Sequence, residues 1–460
     1  MKITHFCNSF IFVEIGTTRI VCDPWVGIAN YGGWISFPIS TNTFKKEIDL
    51  KEDKKLGSKI LKSLNPTHIY LSHLHSDHLD SEILMDFPDK DIKVIINDFN
   101  NKLLYKRVSS LGFKNVIEIN PWEFIDLSDD MEIAVLPADL SNSGDFEDEI
   151  GYEIDTSILI RSKKNGLTFF NGVDSPFSNE GYRKILELCT STSTENKNFI
   201  DIACLAVGAA SEYPQCFLGI DREKEKKEII DSSLKVLTNT LKTLNAKAFF
   251  PAGGTYLIPG KYSSLNKFVA QPTSKQMETV VTKILDKKYF DIEGGASLNY
   301  EKGQWKKEES MISSRYLNQK SAIEANINLI YEYLDPQLSE VAKTNTSILY
   351  AKAKENYFNQ LEKKQIQPKW RVIFNLYEDM EIDGECNLGA CKKVNEFKLQ
   401  LEKTPIDHEL ICHMDYQLFD CLLQRKCIWN ITLSGSLILF ERKPNIFIPT
   451  IPFSLNYLVA

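Results

Sequence analysis

No stretch of the chain approaches the ~18 consecutive apolar residues that crossing a bilayer requires, so no membrane span is expected. No block of lysine and arginine stands out, and the net charge is −8, which argues against a protein built to grip nucleic-acid phosphates. The ten cysteines are scattered. They form no Cys-x-x-Cys, Cys-x-His or Cys-x-x-His pair, which excludes both a compact disulfide framework and a Cys/His-held iron–sulfur module. Reduced thiols are expected. The N-terminus lacks the apolar core of a secretory leader and reads as a first strand, so a cytoplasmic location is expected. Histidine is scarce as well, with seven in 460 residues. Three of the seven stand in "YLSHLHSDHLD", Tyr70 to Asp80.

What is present is ordinary globular material, 43% apolar and 25% charged, in a chain long enough for two units. Short apolar runs such as "FIFVEI", "TRIVCD", "KVIIND", "SILIRS" and "AKAFFPAG" alternate with helical patterns over the first 300 or so residues, which reads as sheet-rich α/β. The pattern dissolves in "EGGASLNYEKGQWKKEES", and a boundary is expected near residue 305. Ile323, Ile327, Ile330, Tyr331 and Leu334 then recur at helical spacing, ended by Pro336. The remainder, 306–460, reads as this helical connector followed by a small α+β unit, with Asp415 as N-cap of "DYQLFDCLLQRK". Cysteines and histidines in the unit match no zinc motif and read as buried thiols and ordinary side chains.

In "IYLSHLHSDHLD" an apolar strand runs into His73 and His75, which lie two residues apart and so project to one side of an extended chain. Asp77 and His78 follow in a turn. Neutral imidazoles and carboxylates gathered at a strand end are what a metal ion needs. Hydrogen-bonding loop polars are the bland alternative, and they fit one histidine better than three.

The pattern His73-x-His75-x-Asp77-His78 resembles the metal-binding signature of the metallo-β-lactamase fold superfamily. The resemblance implies an αββα sandwich with two metal ions at one sheet edge. It also implies ligands from distant loops. Asp139, in "VLPADLSNSG", stands where the superfamily usually has a histidine, with Asp145, Asp148 and Asp155 following as competitors. Asp174, in "LTFFNGVDSPF", matches the bridging aspartate. The position of the last histidine holds Gly253 and Gly254. The implied site is His73, His75 and Asp139 at one ion, and Asp77, His78 and Asp174 at the other. Asp77 has a catalytic role in orienting water if the reaction is hydrolytic. Asp23 resembles the buried acid that orients the histidine loop, with an ordinary turn carboxylate as the alternative.

A narrower resemblance, over residues 1 to about 300, is to the CMP-N-acetylneuraminate hydroxylase family, carried by "CDPWVGIANYGGW", "VGAASEYP", "FFPAGGTYLIPGK" and "EGGASL" in order. That family delivers electrons through a Rieske module, which this chain lacks, so the resemblance implies a separate electron donor. Carboxylates in place of imidazoles favour iron, with manganese or zinc as alternatives. The favoured expectation is a diiron oxygenase, a hydroxylase of a small, polar, nucleotide-sugar-like substrate. A zinc or manganese hydrolase of a phosphodiester, ester or lactone is the alternative. Trp25, Trp34, Glu212, Tyr213 and Tyr256 are candidate substrate contacts, with core packing the alternative for each aromatic. The last ninety residues resemble a sterol-carrier-like module that would shape a pocket or form a homodimer contact. The helix face Leu418, Phe419, Leu422 and Leu423 reads as core.

Overall fold

A computed structural model describes residues 1–38, 50–139, 155–175, 177–191, 197–208, 210–253, 256–309, 318–335, 345–401 and 404–460. Its centre is a pair of mixed sheets. One has eight strands in the order Gln304–Glu308, Ala296–Glu301, Lys2–His5, Ile11–Ile15, Thr18–Cys22, His68–Tyr70, Lys93–Asn97 and Asn115–Ile119. The other has seven, in the order Lys288–Tyr289, Ala248–Pro251, Ile202–Leu205, Thr168–Asn171, Thr156–Ser162, Met131–Pro137 and Ile125–Asp126.

Strand alternation explains the layering. Met131, Ile133 and Val135 face the other sheet and pack with Ile11, Val13, Ile20 and Ile158, while Ala134 and Leu136 face outward onto helices. The helices Asn179–Ser191 and Arg222–Thr243 cover that outer face through Tyr182, Ile185, Leu237 and Leu241. On the opposite side Leu61, Ile83, Leu84, Leu104 and Val108 from three helices cover Val21, Ile69 and Val94. Strands buried on both faces must be apolar throughout, which is why they read as unbroken runs rather than as alternation. The result is the expected αββα sandwich.

The expected connector helix is interrupted. Residues Gln319–Ala325 are helical, but Asn326 ends the segment, its backbone N–H donating to the Ile323 carbonyl and its side-chain Nδ2 to the Ala322 carbonyl. Ile327 and Ile330 are exposed, so their spacing marks no buried helical stripe. Pro336 lies outside the described residues. The α+β unit beyond has a four-stranded sheet in the order Lys393–Leu399, Trp370–Tyr377, His408–Asp415 and Leu439–Lys443. Asp415 does stand at the start of the helix Tyr416–Leu423, yet its carboxylate makes no cap. It accepts from Tyr333, Lys261 and the Met380 amide instead. Leu418, Phe419, Leu422 and Leu423 are core. All ten cysteines are free, nine of them buried.

The two units share one core, in which Trp25, Trp34, Phe217 and Tyr256 from the first half pack with Phe374, Phe419, Trp429 and Phe440 from the second. Backbone bonds cross the seam, Leu218 N to Phe440 O at 2.7 Å and Phe440 N to Cys216 O at 2.8 Å. The halves also approach tightly at Gly33, where a Cβ would stand 2.0 Å from the Gly435 carbonyl oxygen. Gly33→Ala should therefore destabilise the protein by about 1–3 kcal/mol, the usual cost of overpacking. Gly384→Ala, with nothing within 4 Å of the added carbon, should be near neutral in the same unfolding assay. No helix among the described residues is long and apolar enough to cross a membrane.

Candidate metal centre

Parallel strands end at one edge, and the site is built there. His68–Tyr70 runs parallel to Thr18–Cys22, so the loop of histidines and the loop of Asp23 emerge side by side. In the second sheet Thr168–Asn171 and Ala248–Pro251 are both parallel to Ile202–Leu205, bringing Asp174 and Gly253 to the same edge. Thr156–Ser162 is antiparallel, so its first residue arrives there too, preceded by Asp155.

Asp23 organises the histidine loop. It is wholly buried. It accepts from the Ser72 amide at 2.8 Å and the Ser72 hydroxyl at 2.7 Å, and its Oδ2 lies 3.0 Å from His78 Nδ1. Ser72 Oγ also lies 2.9 Å from His73 Nδ1. With those nitrogens held, His73 and His78 turn Nε2 inward. His75 differs. Its Nδ1 lies 2.9 Å from His73 Nε2, and its Nε2 lies 3.2 Å from the amide of Asn430 in the C-terminal unit.

Among the described residues two groups of side chains converge within 4.8 Å, His73, His78 and Asp174 in one and His73, His75 and Asp155 in the other. Asp174 Oδ2 is 3.1 Å and Asp77 Oδ2 3.5 Å from His78 Nε2, and Asp155 Oδ1 is 3.5 Å from His73 Nε2. Asn8 steadies Asp77 by donating to its Oδ2 at 3.2 Å. The Asn8 carbonyl in turn accepts from the Gly253 amide at 2.9 Å.

Asp139 does not join this cluster. Its carboxylate accepts from the Ser178 amide at 2.6 Å and the Ser178 hydroxyl at 2.5 Å, beside the start of the helix Asn179–Ser191. Asp155 stands where Asp139 was expected. Asp145 and Asp148 lie outside the described residues, as does Gly254. At Gly253, with φ +82°, a Cβ would sit 3.1 Å from Asp174 Oδ1 and 3.0 Å from Ala206 Cβ. Any side chain there would press on Asp174, so the missing histidine and the position of the aspartate belong together.

Electrostatics favour a cation. Burial lowers His73 and His75 to about 4, leaving them neutral. Burial raises Asp155 to about 6, with the Asp174 and Asp77 charges adding to it. Burial also opposes charge on Asp77, Asp174 and His78, but their mutual attraction outweighs it and holds the two carboxylates low and the imidazole high. Asp174 Oδ1 is buried with no hydrogen-bond partner among the described residues. An orphaned carboxylate oxygen beside inward-facing imidazole nitrogens fits a metal ion.

The five candidate substrate contacts lie along the seam between the units. Trp34 stacks on Tyr256 with centroids 3.9 Å apart, Trp25 Nε1 donates to the Ile28 carbonyl, and all three rings are buried. Tyr213 packs edge-on to Phe217 and under the Arg442 guanidinium, and burial raises the carboxyl of Glu212 against the opposing pull of Arg442. A crevice of about 580 Å³ opens near the histidine loop, lined by Tyr31, Ser76, Arg107, Arg425 and Trp429 among others, but by none of the clustered histidines or by Asp77, Asp155 or Asp174. Sequence reasoning did not anticipate Asn8, Ser72, Asp155 as a member of the cluster, or Asn430. Asp155 alone left a signal there, as one of the acids after Asp139.

No protein-family model matches the chain. It is similar to a putative Rieske 2Fe-2S iron-sulfur protein of Mycolicibacterium smegmatis, 30% identical over 118 residues that make up 26% of this chain and 20% of that protein. It is also similar to the cytidine monophosphate-N-acetylneuraminic acid hydroxylases of Xenopus laevis and mouse. Each is 24% identical, the first over 56% of this chain and 38% of its own length, the second over 65% and 47%. The chain thus spans less than half the length of these curated relatives. Among solved structures, a diiron β-hydroxylase from Streptomyces venezuelae aligns with TM-score 0.40 and 15% identity, covering 65% of this chain and 54% of its own. An isothiocyanate hydrolase from Delia radicum gut bacteria aligns with TM-score 0.44 and 14% identity, covering 65% and 99%. The αββα sandwich with His-x-His-x-Asp-His at the end of a central strand is the arrangement that the resemblance to the metallo-β-lactamase fold superfamily implied.

Proposed function

We propose that the protein is a metal-dependent oxygenase that hydroxylates a small polar substrate, using electrons from a separate protein. The donor set carries the reading. Three imidazoles and three carboxylates converge at one sheet edge, and oxygen-rich sets of this kind suit iron or manganese better than all-imidazole or thiolate sets do. His73, His75 and Asp155 would hold one ion and Asp77, His78 and Asp174 the other. When bound, such a pair supplies either activation of dioxygen, given reducing equivalents, or activation of water.

The residues themselves do the positioning. Asp23 and Ser72 fix the rings of His73 and His78, Asn8 fixes Asp77, and the bare Gly253 leaves Asp174 its place. Two similarities support oxygenation over hydrolysis, since the curated relatives are named for hydroxylation and for a Rieske cluster. Residues 1–460 hold no Cys-x-His pair for such a cluster, and the proposal therefore includes an electron donor outside this stretch. A nucleotide-sugar-like substrate follows from the hydroxylase similarity.

Metal analysis of protein purified without added metal should find two irons per chain, with an oxygen-dependent visible charge-transfer band and oxygen uptake in the presence of a reductant. Two zinc ions, a colourless protein and turnover of a chromogenic phosphodiester would replace the oxygenase by a hydrolase.

A further inference from the structure

We propose that the C-terminal unit takes part in the metal centre through Asn430, a positioning residue that holds His75 in the tautomer offering Nδ1 to a metal. This rests on the two-ion reading above. A neutral imidazole carries one proton on one of its two nitrogens. His75 Nδ1 faces the cluster, 2.9 Å from His73 Nε2. If its lone pair is to bind an ion, the proton must sit on Nε2 and be donated outward. The group waiting there is the Asn430 amide, 3.2 Å away. The near atom is Nδ2 in this structure; a half-turn of the last side-chain bond exchanges it for Oδ1, which would then accept from Nε2–H. The analogous duty for His73 and His78 is performed within the sandwich by Ser72 and Asp23.

Asn430 is itself held in place. It lies in the short helix Trp429–Ser434, whose preceding residue Ile428 donates its amide to the Tyr31 hydroxyl at 3.0 Å. The Asn430 backbone N–H donates to Asn456 Oδ1 at 3.3 Å, and Trp429 Nε1 donates to the Leu458 carbonyl at 3.3 Å. Asn30, next to Tyr31, receives a bond from Ser76 Oγ at 3.0 Å, and its own amide donates back to that oxygen at 3.1 Å. Ser76 adjoins His75. The contacts therefore close a ring from the histidine loop through Asn30 and Tyr31 to the C-terminal helix and back to His75. Such a ring fixes the imidazole from outside the sandwich, and a loss of outer partners of this kind typically weakens metal binding by about 10–100-fold.

The test is Zn²⁺ binding to the full chain, measured by competition with a chromophoric chelator, for wild type, Asn430→Ala and Asn430→Asp, alongside thermal unfolding of the metal-free forms. Asn430→Ala should bind one of two Zn²⁺ ions about 10–100-fold more weakly. Asn430→Asp, which keeps an acceptor for Nε2–H, should bind at least as tightly as wild type. Wild-type affinity in Asn430→Ala overturns the inference. So does equal weakening in both variants, which would assign Asn430 to packing alone. A wild-type protein that binds no Zn²⁺ overturns the two-ion reading instead.

Discussion

Asp155→Ala should lower the metal content from two ions per chain to one, while Asp139→Ala should leave both bound. Asp155 Oδ1 lies 3.5 Å from His73 Nε2 and belongs to the group that includes His75, so its removal leaves one proposed ion with two imidazoles and no terminal carboxylate. Asp139 is occupied elsewhere. Its two oxygens take the amide and hydroxyl of Ser178 at the head of a helix, and its loss should cost about 1 kcal/mol, as the loss of a helix cap does. Elemental analysis of the two purified variants separates these effects from each other. A full metal complement in Asp155→Ala, with depletion in Asp139→Ala, would return Asp139 to the ligand set and require the edge loops to rearrange on binding.

The second large effect is expected at Asp23. Its carboxylate accepts from the Ser72 amide and hydroxyl and bonds His78 Nδ1, all with no access to water. Asp23→Ala removes the acceptor for all three and leaves an imidazole buried without its partner. Breaking a buried pair from one side costs about 3–5 kcal/mol, and freeing His78 to rotate should weaken metal binding by about 10–100-fold. Asp23→Asn keeps the shape and one acceptor oxygen, so it should fall between. Denaturant unfolding and metal titration on the same preparations check both halves. A variant that lost stability but bound metal normally would make Asp23 an ordinary turn carboxylate, with no part in orienting the histidines.

The sandwich, its order of apolar strands and the core of the histidine loop are legible in the sequence for one reason. They depend on short-range patterning. His73, His75, Asp77 and His78 lie on one strand end and the turn after it, where spacing alone dictates direction. Asp174 stands three residues beyond the buried strand Thr168–Asn171, and Asp23 directly follows Thr18–Cys22, the parallel neighbour of the strand that leads into the histidine loop, so both reach the edge with little freedom. The connector helix was misread because isoleucine spacing reports a buried stripe only when something covers it. Ile327 and Ile330 face solvent beyond the break at Asn326. Trp25, Trp34 and Tyr256 were candidates for substrate contact because a glycine-rich aromatic segment looks alike on a rim and in a seam. The second unit covers them.

By itself the sequence determined that four side chains of metal-ligating type gather at a strand end of an αββα protein, and that the last histidine of the related pattern is absent. Only the tertiary structure decided which carboxylate completes the cluster. Pro137 pairs with Thr156, so Asp139 and Asp155 flank the same strand pair on opposite arms, and either reaches the sheet edge. Strand pleat and the competing bond from Ser178 turn one inward and the other away. The tertiary structure also brought Asn430 to His75 across 355 positions of chain. Spacing along a chain constrains neighbours within a turn or a strand. Contacts between distant segments depend on how whole layers dock, and no local pattern records that.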